Sequence, residues 1–528
     1  MKLRTAPLYA GLLGLALTLG SCFQDLDLEP PYGLNAEVVY SDPANYINVL
    51  AKVYAGLATT GNDGPAGQGD IAGIDEGFSS YLRVLWNLQV LTTDEAICAW
   101  EQDPGIPELN RVTITALNEW NQAMYYRVFF QLSLCNEFIR QASDAKMDER
   151  GFSAADQERI REMRNEVRFL RALSYYHALD LYGNVPFVTE DDVPGAFLPE
   201  QITRAELFDW VEAELLATAD LLRDPGTHEY ARADKAAVWM TLAKLYLNAE
   251  VYVGQNRYAD AAAYAKRVID AGVYSLESNY QHLFLTDNDQ SNEIIFPIAF
   301  NGNNTKTYGG TTYLVHASIG GTIPASEFGV NSGWGGLRAT PEFVDQFTDS
   351  VGDGRYLFVK TGQTREILDI AQFTNGYAVG KFKNVDRDGN PGVDPVGDFV
   401  DTDFPLYRLA DAYLIYAEAA VRGGGDVGLG VNYVNELRER AYGDASGNIT
   451  GGEMTLDFLL AERCRELYWE IGRRTDLIRF GKFIGDEYVW AYKGGAPEGT
   501  SIPDYLNLYP IPASDIIANP NLEQNQGY

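Results

Sequence analysis

The sequence predicts an all-α protein in which paired helices stack into a superhelix and carry a loop-rich subdomain. Three observations predict this. Apolar side chains recur at three- and four-residue spacing over long stretches, the pattern of a helix that buries one face. Helix-start signals stand immediately before several of those stretches. Between them lie Thr59 to Gly77, Asn288 to Trp334 and Phe373 to Asp403, rich in Gly, Asn and Asp and without a helical period. Excursions of that length inside a compact body are usually functional.

The chain opens with Lys2 and Arg4, followed by an apolar run from Leu8 to Leu19 that Gly11 and Gly14 interrupt. That run is too short to span a bilayer and has the form of a signal-peptide core. It ends in Leu19-Gly20-Ser21-Cys22, small residues before a cysteine, in the manner of a lipoprotein cleavage site. Residues 1–21 are therefore expected to be removed and Cys22 to become the lipid anchor. Each buried acyl methylene contributes about 0.8 kcal/mol, so several chains on one cysteine anchor firmly. No later segment is apolar enough to cross a membrane, which leaves a tethered soluble body.

The helices follow in order. From Asp156 to Leu181, residues Ile160, Met163, Val167, Leu170 and Leu173 mark one buried face, and Ser153 with Asp156 approximates a capping box. Thr203-Arg204-Ala205-Glu206 is a capping box, with Ile202 and Leu207 as its hydrophobic staple. Trp239-x2-Leu242-Ala243-x2-Tyr246, followed by Tyr258-Ala259-Asp260-Ala261 and Ala265, has the large/small alternation of a tetratricopeptide helix pair. Similar pairs are expected at Phe169 to Leu181 with Arg204 to Leu222, and at Leu409 to Val421 with Val431 to Ala441. Paired helices cannot bury their faces alone, so several should stack into a curved solenoid. Thr340-Pro341 reads as a cap followed by proline at the first helical position. Thr455 opens a helix through Leu456, Leu459, Leu460, Leu467 and Ile471, with Gly472 as its expected stop.

Composition removes several functions. The 528 residues include 41 basic and 74 acidic side chains, a formal charge of −33. A field of that sign repels phosphate backbones, so no nucleic-acid partner is expected. It also disfavours sulfated or uronate-rich ligands unless local basic groups override it. Beyond Cys22 only Cys98, Cys135 and Cys464 remain, without the spacing of a thiolate metal site, and are expected as buried free thiols. His177, His228, His282 and His316 are scattered, and there is no HExxH, GxSxG or Walker motif, so no catalytic residue and no cofactor are assigned. Gly423-x-Gly425-x-x-Gly428 follows a helix rather than a strand and reads as a linker. Asp386-x-Asp388-x-Asn390 with Asp394 has the oxygen spacing of a calcium loop, but Pro391 stands where an EF-hand needs glycine, and no metal site is assigned.

Aromatic placement is more informative. Trp120, Trp210, Trp239 and Trp469 lie inside helical patterns and are expected in the core. Trp100 and Trp334 sit in polar, glycine-containing loops, where an exposed indole forgoes about 2 kcal/mol of burial. A flat ring on a rigid loop suits the C–H face of a sugar; capping an edge of the core is the alternative use for it.

Across nearly its whole length the chain resembles the SusD/RagB family of outer-membrane nutrient-binding lipoproteins. The likeness rests on Asp25-Leu26-Asp27-Leu28-Glu29-Pro30 after the cysteine, and on Arg168-Phe169-Leu170-Arg171-Ala172 leading to Leu181-Tyr182-Gly183-Asn184-Val185-Pro186. Asn292-Glu293-Ile294-Ile295-Phe296 and Tyr413-Leu414-Ile415-Tyr416-Ala417-Glu418-Ala419 extend it. It continues through Glu462-Arg463-Cys464-Arg465-Glu466-Leu467-Tyr468-Trp469-Glu470, the segment Arg473 to Lys482, and Pro510-Ile511-Pro512 through Asn519-Pro520-Asn521-Leu522-Glu523-Gln524-Asn525 to Gly527-Tyr528. Ile471-Gly472 and Gln526 depart from the usual family pattern. The Glu/Arg-dense segments are expected to form internal ion pairs.

The resemblance implies a SusD-like superhelix divided at residues 22–230 and 231–528, anchored in the outer membrane and facing the cell exterior. It also implies a SusC-type TonB-dependent transporter as partner and an oligosaccharide as ligand. Thr92 to Trp100 and Arg465 to Lys482 look nearest to the starch-binding branch. That likeness assigns Trp100 and Trp334 to an aromatic arc facing an α-glucan, with Arg83, Asn301, Tyr308 and Tyr313 as further candidates. The expected function is capture and delivery without bond cleavage. A peptide or protein receptor of a related uptake pair, and a surface glycosidase, are the rival functions.

Overall fold

The structure, a computed structural model, describes residues 36–65, 69–192, 195 and 197–528; the expected signal peptide and Cys22 lie outside them. The chain forms two compact units, Met1–Tyr46 and Ile47–Tyr528. In the first, the helix Ala36–Tyr40 precedes the 3-10 turn Pro43–Asn45, which Asp42 caps by accepting the Ala44 N–H at 2.9 Å.

The second unit is built on a stack of helices. Glu119–Gln141, Ala154–Leu181, Arg204–Ala219, Lys235–Leu247, Tyr258–Asp270, Leu409–Val421 and Val427–Tyr442 each pack against the one before. All three helix pairs read from the sequence are present, and the stack runs unbroken across residue 230. Local chemistry sets where the helices begin. Asn118 accepts from the N–H groups of Trp120 and Asn121, Asp234 from those of Ala236 and Ala237, and Thr455 from that of Phe458. At Thr203 both halves of the capping box form, with the Thr203 N–H donating to Glu206 and the Glu206 N–H to Thr203. Each such cap stabilises its helix by about 1 kcal/mol. Small residues let neighbours approach: a Cβ on Gly424 would lie 2.3 Å from the Tyr258 carbonyl carbon. Cys98, Cys135 and Cys464 are buried free thiols.

Between Tyr258–Asp270 and Leu409–Val421 the chain leaves the stack, and the two helices close on each other behind it. This excursion is gathered at its base by an antiparallel pair, Ile294–Ile298 with Phe404–Arg408, every residue of which is buried. Pro297 faces Pro405 beside a register shift, where two residues without N–H groups cost the ladder least.

Two local expectations need correction. The stretch from Asn288 to Trp334, expected to be non-helical, contains the helix Gly310–Ala317. All eight of its residues are buried, so no solvent-facing side exists to generate an amphipathic period. The helix opened by Thr455 stops at Leu467, well before Gly472. Trp469 and Ile471 both adopt φ near +64°, and Gly472 instead precedes a new helix, Arg473–Arg479. The cause is tertiary: Glu95 accepts the Trp469 backbone N–H on its carboxylate at 2.9 Å and the indole N–H on its carbonyl at 3.0 Å.

The internal ion pairs converge where the excursion rejoins the stack. Arg408, at the end of its strand, donates to Glu466 at 2.6 Å and to Glu293 at 2.8 Å. Glu466 also accepts from Arg355 and Arg440, while Glu462 accepts from Arg355, Arg438 and Arg465. Despite burial, which opposes ionisation, these cations hold Glu462 down to about 2 and Glu466 lower still. Their stabilising contribution is therefore complete above the ordinary glutamate range near 4.5 and is lost only as pH falls towards 2. Glu466→Ala strips the shared counter-charge from three guanidinium groups. It is expected to destabilise the fold by about 3–5 kcal/mol, seen as a lower urea midpoint at unchanged slope.

Candidate functional site

The site begins at a buried ion pair. Arg473 grips Asp94 with two hydrogen bonds, at 2.7 and 2.6 Å, and the Tyr488 hydroxyl donates to the same carboxylate at 2.6 Å. From this anchor the chain enters Ile97–Cys98, which pairs antiparallel with Leu337–Arg338, Cys98 opposite Leu337. The Ala99 N–H donates to the Gly336 carbonyl at 2.9 Å, extending the pairing by one bond. Arg338 is buried and holds this region by donating to the carbonyls of Asn375, Gly336 and Ile370.

Because the strands are antiparallel, the residues after Cys98 and before Leu337 emerge at the same end. Trp100 and Trp334 therefore meet, and the Trp100 indole N–H donates to the Trp334 carbonyl at 3.3 Å. Both rings are partly exposed. Trp100 lies against Gly336, where a Cβ would come within 2.6 Å of the indole. Trp334 stacks on His316, with centroids 4.7 Å apart and planes 19° apart, and its backbone N–H donates to the His316 carbonyl at 2.7 Å. The His316 Nδ1–H donates to the Ser332 carbonyl at 2.7 Å, and burial pushes the imidazole pKa down, so the platform under Trp334 is neutral. Tyr308, 36% exposed, meets Trp334 edge-on at 6.2 Å and is backed by Phe399.

The other sequence candidates divide. Arg83 is buried beneath the rings, 4.1 Å over Tyr313 and 5.9 Å from Trp100, and donates to the carbonyls of Gly77 and Tyr308. Tyr313 is fully buried and its hydroxyl donates to Asn87 at 3.0 Å. Asn301 makes no hydrogen bond or ring contact with the other five among the described residues. It closes its own turn by accepting the N–H groups of Asn303 and Asn304. Sequence reasoning missed His316, which carried no signal, and Gly336, whose Gly335-Gly336 neighbourhood could have suggested close approach. It also missed Asp75 and Asp103, exposed carboxylates whose charges act on Arg83.

The calcium-like spacing is used internally. Asp386 accepts from the backbone of Asp388 and Asn390, and Asp394 from that of Val396, Asp398 and Phe399. Among the described residues no cluster of three or more His, Cys, Asp or Glu could hold a metal ion. No helix among them is long and apolar enough to cross a membrane.

A sequence model of the SusD family matches residues 354–528. The chain is 36% identical, over 96% of both proteins, to the starch-binding protein SusD of Bacteroides thetaiotaomicron. It belongs to the SusD family. SusD-like protein P25 of Formosa agariphila is 24% identical over the whole of both chains. A surface glycan-binding protein A of Bacteroides thetaiotaomicron, solved with laminarihexaose, superposes with a TM-score of 0.69 at 19% identity, covering 91% of this chain and 99% of that one; this likeness is one of fold. The matched SusD segment contains the buried Arg355, Arg408, Glu462 and Glu466 network, whereas Trp100, Tyr308 and Trp334 all precede it.

Two outcomes follow for this SusD-family face. Gly336→Ala forces the Trp100 ring away, which should cost about 1–3 kcal/mol and raise acrylamide quenching of tryptophan fluorescence. Since burial lowers the His316 pKa, the neutral ring's contribution is complete above about 6.5 and is lost as pH falls below it. The stability gap between the natural chain and His316→Gln should therefore narrow on acidification, measured by urea titration at pH 8, 6 and 5.

Proposed function

We propose that this protein is a cell-surface glycan receptor that captures an oligosaccharide of the α-glucan class and passes it to a SusC-type TonB-dependent transporter. The observation that carries the reading is the meeting of Trp100, Trp334 and Tyr308 as one aromatic surface on a preformed scaffold. An apolar ring face excludes water from the C–H face of a pyranose. Covering about 50 Å² of apolar surface contributes about 1 kcal/mol per ring. Asp75 and Asp103 supply acceptors for hydroxyl groups nearby. Arg83 and Tyr313 act as positioning residues under the rings, and Asn301 shapes the loop that leads to Tyr308. Starch is favoured over other glucans by the 36% identity to a starch-binding relative.

A receptor that must release its cargo gains from a few weak, preformed contacts rather than from enclosure, because little ordering cost is incurred on either capture or release. Hand-over needs no chemistry, so the protein acts without bond cleavage. Cys22, acylated, holds the body at the outer face of the outer membrane.

Starch-containing native gels test this directly. Trp100→Ala and Trp334→Ala should each weaken retardation, and the double variant should abolish it with far-UV circular dichroism unchanged. A double variant retarded like the natural chain would overturn the assignment. Parallel gels containing laminarin decide the linkage: equal or stronger retardation there would replace the α-glucan assignment with a β-glucan one.

A further inference from the structure

A second cleft, of about 660 Å³, shares no lining residue with the aromatic face. It is bounded by the end of the helix Ala154–Leu181, the start of Arg204–Ala219, the helix Arg473–Arg479 and the C-terminal segment. Its volume falls in the range of small-ligand sites, about 300–1,000 Å³.

Its chemistry centres on Arg204. The residue opens its helix just after the Thr203 capping box, and Asn184 accepts its backbone N–H at 2.8 Å, so its position is fixed. Its Nε donates to the Leu179 carbonyl at 3.1 Å, and the guanidinium lies 4.7 Å over the Tyr252 ring. The two terminal nitrogens have no hydrogen-bonding partner among the described residues. Asp180, the carboxylate whose charge acts on it, is already occupied. It accepts from the Tyr252 hydroxyl at 2.7 Å, the Gln89 amide at 2.6 Å and the Thr475 hydroxyl at 2.9 Å. Arg474 adds a second positive charge, and burial disfavours the charge on Arg204. A half-buried guanidinium fork whose terminal nitrogens are unpaired favours a planar anion that offers it two oxygens.

The rest of the cleft suits a ring with hydroxyl groups. Tyr505, 38% exposed, rests against Gly527, where a Cβ would come within 2.4 Å of the ring, and meets Tyr528 edge-on. That contact fixes an aromatic wall. Asn507 also lines the cleft, and its Oδ1 is buried without a partner, an acceptor left for a donor. Asp504, the other lining carboxylate, stands exposed where water and salt screen it.

We propose that this cleft binds a small sugar acid, a uronate of one or two residues, with its carboxylate on Arg204, its ring on Tyr505 and a hydroxyl on Asn507. The site is thus distinct in place and ligand from the aromatic face. In a chain of net charge −33 it supplies the local basic group that a uronate requires.

The test is calorimetric titration of the full chain in detergent with glucuronate and galacturonate, with glucose and acetate as controls. One uronate per chain is expected, with glucose and acetate at least about tenfold weaker. Arg204→Gln should weaken the uronate at least about tenfold while leaving starch-gel retardation unchanged. Tyr505→Ala, at an exposed ring, should weaken it about threefold or more and serves if Arg204→Gln misfolds. The proposal is overturned by no uronate heat up to about 10 mM, by glucose or acetate matching the uronates, or by unchanged affinity in either variant. Because starch retardation is read separately, failure here leaves the glucan reading standing, and the reverse also holds.

Discussion

The fold depends on one buried electrostatic cluster, in which Arg408 and Arg355 share Glu466 with Arg440. Removing these charges from water costs several kcal/mol each, and mutual attraction returns that cost only when every partner is in place. The partners come from separate parts of the chain: Glu293 precedes the first strand of the excursion, Arg408 ends the last, and Glu466 lies on a later helix. A slipped register would strand a charge in the interior. The cluster therefore sets where the long excursion returns to the stack, and net stability is a secondary effect. The Asp94–Arg473 pair repeats the device at the root of the aromatic face.

Inside the protein the arginines are matched by carboxylates, as at Arg355, Arg408, Arg463, Arg473 and Arg479. The chain's net charge of −33 therefore falls on its solvent-facing surface. Such a surface gives a neutral ligand no long-range attraction, so the proposed glycan recognition relies on short-range contact with the paired indoles. Rigidity under the rings then matters more than charge. Gly336 supplies a floor for Trp100, and neutral His316 supplies one for Trp334.

The segment matched by the SusD family model and the proposed glycan face occupy different parts of the chain. Residues 354–528 hold the charged cluster and the returning helices, which are constrained by packing. The rings sit on the earlier loops, whose residues can change without disturbing the interior pairs. A shared scaffold can in this way present different glycan surfaces, and family membership and ligand choice are separate questions physically as well as in inference.

Sequence alone determined the helix stack. Periodicity, the cap at Ser153, the capping box at Thr203, and the small residues at Ala243, Ala261 and Ala265 act within one or two turns, so their consequences are local and readable. It also marked Trp100 and Trp334 as indoles in polar loops, and the family resemblance grouped them in one arc. Only the tertiary structure decided how they meet, and that Tyr313 and Arg83 lie beneath them. The pairing is set by two-residue strands far apart in the chain, and so short a strand has no period to read. The helix Gly310–Ala317 escaped for a related reason: burial on every side erases the pattern by which a helix is seen. The early stop at Leu467 came from Glu95, a residue remote in sequence that captures the Trp469 backbone. Local interactions wrote the scaffold into the sequence, while the aromatic face arose from long-range pairing that no window of residues contains.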